Sequence, residues 1–185
     1  MEQIKKAKKL KLCGIIYSVA MVLVSVFGLG GRDLSNAYAN VLQYIAEIEN
    51  ELSIQSQLDF IWGQGQNLVV IAQRYPHIDI LELTVWLDSL EDIRGTNNVY
   101  ELNITRNHIV RLANNMFEIG TMSAEDTALA NGVIANINSA NNIINNSSFN
   151  SLAVEFNTSV LQNFPANVIA ATLGINHIEL FEGVQ

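Results

Sequence analysis

The chain has 185 residues, a formal net charge of −8 and 49% apolar residues, enough for a folded core despite its many asparagines and for one domain with an appendage. Charge is segregated: Lys5, Lys6, Lys8, Lys9 and Lys11 with Glu2 give residues 1–11 a charge of +4, whereas from Leu12 onward five arginines face 17 carboxylates for −12. So acidic a surface repels phosphates, which excludes nucleic-acid binding by the main domain.

The first element follows the lysines. Residues 12–31, LCGIIYSVAMVLVSVFGLGG, carry no charge between Lys11 and Arg32. About 20 residues at ~1.5 Å each match the ~30 Å hydrocarbon core of a bilayer, so this stretch predicts a single transmembrane helix with the membrane lipid as its partner. Residues 1–11 are then a basic cytoplasmic segment and the acidic remainder is extracytoplasmic, in the cell envelope. Ala37-Tyr38-Ala39 is similar to a signal-peptidase site, but it lies past the apolar run, beyond Arg32 and Asp33, so the span is read as retained. Cys13, the one cysteine, excludes an internal disulfide and opens the apolar run, where it reads as a small residue of the span. Gly28, Gly30 and Gly31 lack the four-residue spacing of a strong transmembrane packing motif and ease the chain out of the bilayer.

Residues 32–165 read as an antiparallel bundle of four long helices. Tyr38, Val41, Ile45, Ile48 and Leu52 alternate by three and four, and Leu58, Ile61, Leu68, Ala72 and Tyr75 continue the seam. Gly63 and Gly65 in WGQGQN predict a turn, after which a second helix starts near Gln66, kinks at Pro76 and ends at RGTNN, with Gly95 as C-cap and Thr96 or Asn97 as the next N-cap. A third helix over Asn98–Phe117 puts Val99, Leu102, Ile109, Ala113 and Met116 on one side, and Gly120 ends it. Ser123 caps the fourth, with Glu125 and Asp126 in the first turn where the helix dipole favours anions. Its stripe of Val133, Ile137, Ala140 and Ile144 extends to Val154 and Leu161 through NNIINNSSFNS, whose short polar side chains favour helix poorly.

Pro165 must end or kink that helix, because it lacks the donor a helix interior needs. In residues 166–185, Val168, Ile169, Ala170 and Leu173 form a short apolar turn that folds back across the end of the bundle, with Gly174 reversing the chain and Ile175, Ile178, Leu180 and Phe181 alongside. If exposed, this tail would be a docking peptide for a partner or the membrane.

The order Phe149-Asn150, Phe156-Asn157, Phe164-Pro165, Asn167-Val168-Ile169-Ala170, Gly174 and Phe181-Glu182 resembles the C-terminal third of the LemA family of bacterial membrane-anchored proteins. In that family tyrosines precede the two asparagines; phenylalanine here removes any role of a phenolic hydroxyl, and the gap before Phe-Pro is one residue longer. Ile48-Glu49-Asn50 and Asn67-Leu68-Val69 are similar to the family's first- and second-helix segments, without the basic pair between them. The resemblance implies an N-terminal membrane anchor and a helical bundle, and supplies no catalytic residue.

Chemistry is otherwise sparse in this sequence. His77, His108 and His177 have no carboxylate or histidine at a recognised metal spacing, so no metal or other cofactor is expected. There is no nucleophile elbow, and GLGGR lacks the lysine of a phosphate loop. Glu47, Glu49 and Glu51 alternate around a helix as a solvated face, and Glu91 and Asp92 beside Arg94 read as a surface ion-pair patch. The expectation is therefore a non-enzymatic interaction or scaffold module that engages envelope proteins or self-associates. Its rival is an extracytoplasmic small-ligand sensor or enzyme with a pocket between helices around Trp62 or Trp86.

Overall fold

The structure, a computed structural model, describes residues 17–19, 21–22, 24–46, 53–116 and 122–182. Among these residues all regular structure is helical and there is no strand. A π-helical turn, Ser25–Leu29, leads into α1 (Gly30–Gln43); then follow α2 (Ile54–Ala72), α3 (Leu81–Ile93), α4 (Val99–Asn115), α5 (Ala124–Asn145) and α6 (Ser148–Glu155). A second π-helical turn, Phe156–Val160, precedes α7 (Ala166–Leu173). Among the described residues no helix is long and apolar enough to cross a membrane; of the expected span 12–31, residues 12–16, 20 and 23 lie outside the described set. The lysine cluster, Cys13, Ile48, Leu52, the three alternating glutamates, Phe117 and Gly120 also lie outside it.

The chain divides into two compact units, Met1–Asn40 with Glu155–His177 and Val41–Val154 with Ile178–Gln185. The second unit is a helical bundle in which α2 packs against α3, α4 and α5, and α4 packs against α3 and α5. Its core follows the helical repeat: Ile54, Leu58, Ile61, Leu68 and Ala72 on α2, Leu83, Leu87 and Leu90 on α3, Leu102, Ile109 and Ala113 on α4, Ala130, Ile137, Ala140 and Ile144 on α5. Each fully buried leucine or isoleucine contributes about 1.5–3 kcal/mol.

Four expectations about element boundaries need correction. Gly63 and Gly65 lie inside one continuous helix, α2, because Gly65 falls on its buried stripe and lets α3 come close. The break comes later, after Ala72, where Pro76 lies in the connection to α3: proline lacks a donor and the residue before it avoids helical geometry. Gly95 is not a left-handed cap; α3 ends at Ile93 with Arg94 as its C-cap, and the N-cap of α4 is Asn98, whose Oδ1 accepts from the Glu101 amide at 3.3 Å. The fourth long helix is interrupted at Asn146 and Ser147. There the Asn146 side chain donates to the Asn142 carbonyl at 2.8 Å, the local competition that short polar side chains offer a helix backbone.

The α5 start is as expected. The Ser123 hydroxyl accepts from the Asp126 amide at 3.2 Å, and the buried Asp126 carboxylate joins Arg74 and the Tyr75 hydroxyl, both at 2.6 Å. Ser123→Ala removes the cap and should lower the stability of the full chain by about 1 kcal/mol in urea denaturation.

In the first unit, α7 lies against the start of α1. A Cβ on Gly30 would sit 3.1 Å from Ile169 Cδ1, and one on Gly31 3.4 Å from Leu173 Cδ1. These two glycines therefore serve a close helix approach. Farther along, the Tyr38 and Phe156 rings meet at 5.7 Å between centroids. Gly174 adopts the left-handed conformation (φ 71°) that closes α7, with the Ile175 amide donating to the Ala170 carbonyl at 3.0 Å. The expected grouping of the tail thus divides: Ile169 and Leu173 pack on Gly30 and Gly31, whereas Ile178 and Phe181 are buried in the second unit.

Candidate functional site

The most unusual side chain in the second unit is Arg106, fully buried on α4. It occupies the gap in the apolar stripe between Leu102 and Ile109, so the helix carries a cation into the core. Its Nη1 donates to Asn145 Oδ1 at 2.8 Å. Its Nη2 is shared among Asn103 Oδ1 at 2.7 Å, Asn107 Oδ1 at 3.0 Å and the Glu182 carbonyl oxygen at 2.7 Å. None of these acceptors is a carboxylate; Nε is buried without a partner. The guanidinium carbon stands 5.5 Å from the centroid of the Phe181 ring, within cation–π range. Burial lowers the Arg106 pKa to about 10, which leaves it charged at neutral pH.

Asn150 completes this latch. Its Nδ2 donates to the Asn145 and Phe181 carbonyls at 3.0 and 2.9 Å, and its Oδ1 accepts from the Phe181 amide at 2.9 Å. One amide side chain thereby satisfies both backbone groups of Phe181, whose ring sits edge-on to Phe149 at 5.5 Å. Glu182 takes part through its backbone carbonyl, which also accepts from Asn107 Nδ2 at 3.3 Å; its side chain is exposed.

The ten motif residues therefore separate. Phe149, Asn150, Phe181 and Glu182 converge on Arg106, whereas Phe156, Asn157, Phe164, Pro165, Asn167 and Gly174 belong to the first unit. There Phe156 is buried, Asn157 is half-buried, and Phe164 is 82% exposed. Pro165 precedes α7, and the Asn167 side chain accepts from the Val168 amide at 2.8 Å.

The aromatic positions considered for a pocket are engaged elsewhere. The half-buried Trp62 lies under the Arg94 guanidinium at 4.6 Å, and Arg94 reaches Asp59 at 2.9 Å, where Glu91 and Asp92 had been expected as its ion-pair partners. Trp86 stacks on His108, with centroids 4.0 Å apart and planes 7° from parallel, and Arg111 joins His108 Nδ1 at 3.3 Å and Glu82 at 3.1 Å. His77 sits in the connection between α2 and α3, its ring edge-on to Tyr75. Among the described residues no group of three His, Cys, Asp or Glu side chains could hold a metal ion. A groove of about 350 Å³, open to solvent, is lined by Ser56, Gln57, Phe60, Asn136, Ser139, Ala140 and Ile143, and it contains no titratable side chain.

Arg106 was the residue sequence reasoning missed; the signal was its place three and four residues from Ile109 and Leu102. Comparisons with protein-family models, with curated proteins and with solved structures gave no match.

Proposed function

We propose that the protein is a single-pass membrane-anchored helical scaffold of the LemA type, its bundle held on the extracytoplasmic side to engage envelope proteins or further copies of itself. The observation that carries this reading is the helical surface before α1. Tyr17, Val19, Met21, Val22, Val24, Phe27 and Leu29 are all exposed, from 37% to 68%, on a stretch without charge that follows five lysines. Water does not favour so continuous an apolar surface, and a bilayer does. The motif Phe149-Asn150 to Phe181-Glu182 supplies the likeness to the LemA family, and the lysines supply the orientation.

Two measurements on the full chain test this. It should remain in the membrane pellet after alkaline carbonate extraction and leave only with detergent; recovery in the carbonate supernatant overturns the anchor. Protease added outside intact cells should digest the bundle, and complete protection reverses the orientation. Crosslinking in intact membranes should yield either a homo-oligomer or a recurring envelope protein. Recovery of the monomer alone, with turnover of a metabolite by the purified chain, would favour the enzyme or sensor reading.

A further inference from the structure

We infer that the segment from Phe164 to Leu173 is a second membrane contact, an uncharged wedge that lies in the lipid interface beside the exit of the anchor. This rests on the anchor reading above. Three features of the first unit bear on it, and direction and exposure carry it.

The first is direction. Phe156 meets Tyr38, whereas Ile169 and Leu173 meet Gly30 and Gly31. Eight helical residues separate those levels on α1, about 12 Å. The chain from Phe156 to α7 therefore runs back along α1 towards the apolar stretch and reaches the level of Arg32 and Asp33, the first charges after it. If residues 12–31 span the bilayer, α7 stands at the headgroup boundary.

The second is charge. Between Glu155 and Glu179 there is no Asp, Glu, Lys or Arg, and His177 is the one titratable side chain. Residues 127–154 of the bundle are equally uncharged, so the lack of charge does not single this segment out; it permits a place against lipid, where a charge at the acyl boundary is costly.

The third is exposure. Ile169 and Ala170 face inward, while Phe164 (82%), Val168 (45%) and Leu173 (49%) are open. Phe164 lies just before α7, and Val168 and Ala171, three residues apart, share the outer side of that helix. Polar side chains nearby turn to the backbone: Thr172 donates to the Val168 carbonyl at 2.9 Å and Asn163 to the Ser159 carbonyl at 2.6 Å. An exposed aromatic with flanking apolar residues and self-satisfied hydroxyl and amide groups suits the interface of a neutral lipid surface.

The test uses the full chain with Cys13→Ser, reconstituted in phosphatidylcholine vesicles. Single cysteines at Phe164→Cys, Val22→Cys and Asp92→Cys carry a nitroxide label, and collisions with oxygen and with a water-soluble nickel complex are read by power saturation. The expected result is loss of nickel collisions with gain of oxygen collisions at position 164, intermediate between a strong effect at 22 and none at 92. Water-like accessibility at 164 with a buried label at 22 overturns the wedge and leaves the anchor standing. Water-like accessibility at 22 as well overturns both.

Discussion

Replacing Arg106 by alanine should lower the stability of the full chain by about 3 kcal/mol, read as a shift of the urea midpoint, and should free the Phe181 and Glu182 segment. The change opens a cavity where a fully buried side chain stood and leaves the Glu182 carbonyl and three amide oxygens without their common donor. Release of the desolvated charge offsets part of that loss, so Arg106→Met, which keeps volume without charge, should cost less than alanine. Accelerated hydrogen exchange at the Phe181 amide would mark the opened latch. A midpoint shift under half of that expected would show that the guanidinium bonds merely balance the cost of burying it.

Arg106→Lys adds a pH signature. A base whose pKa falls on folding carries a charging penalty below the folded value, and the penalty disappears as pH rises from the folded to the unfolded value. For Arg106 that window opens only at about 10, so this residue gives no pH dependence near neutrality. A lysine starts from about 10.4 when unfolded, and burial lowers it in the same direction. The lysine variant should therefore gain stability relative to the parent as pH is raised from about 7 towards 10.4. A parallel pH profile for the two proteins would refute this.

The second large effect belongs to a pair of glycines two residues apart. Gly65→Ala places a Cβ inside the envelope of Leu87, whose Cδ1 and Cγ would also stand at 3.1 and 3.3 Å. Leu87 is fully buried and cannot swing aside. Overpacking of this kind costs about 1–3 kcal/mol, against a gain of up to about 1 kcal/mol in helix propensity, so the net effect is destabilising. At Gly63 a Cβ meets nothing within 4 Å, and Gly63→Ala should stabilise by about 0.5–1 kcal/mol. Opposite signs in urea denaturation are the expected outcome. Two changes of the same sign would mean that α2 and α3 do not approach each other at Gly65.

The periodic part of the fold was legible. The stripes Leu58, Ile61, Leu68 and Ala72, and Leu102, Ile109 and Ala113, are buried as the helical repeat requires, and Ser123 caps α5. What periodicity left out were its own vacancies. Position 65 falls on the stripe between Ile61 and Leu68, and position 106 on the stripe between Leu102 and Ile109, yet a glycine and an arginine do not look like core residues. Each is placed there by a neighbour from another segment, Leu87 in one case and Asn145 with Glu182 in the other. Such partners are invisible to a local window. For the same reason the motif residues, close together in the chain, gave no sign that they divide between two units.

The contact of α7 with Gly30 and Gly31 has a consequence for biosynthesis. Roughly 140 residues separate its two sides, and at ~5–20 residues per second a ribosome takes on the order of ten seconds to supply the second after the first. Throughout that interval the face of α1 awaiting Ile169 stands uncovered. The nascent protein must therefore place its leading helix before the piece that will rest against it exists, and the order of assembly is dictated by translation.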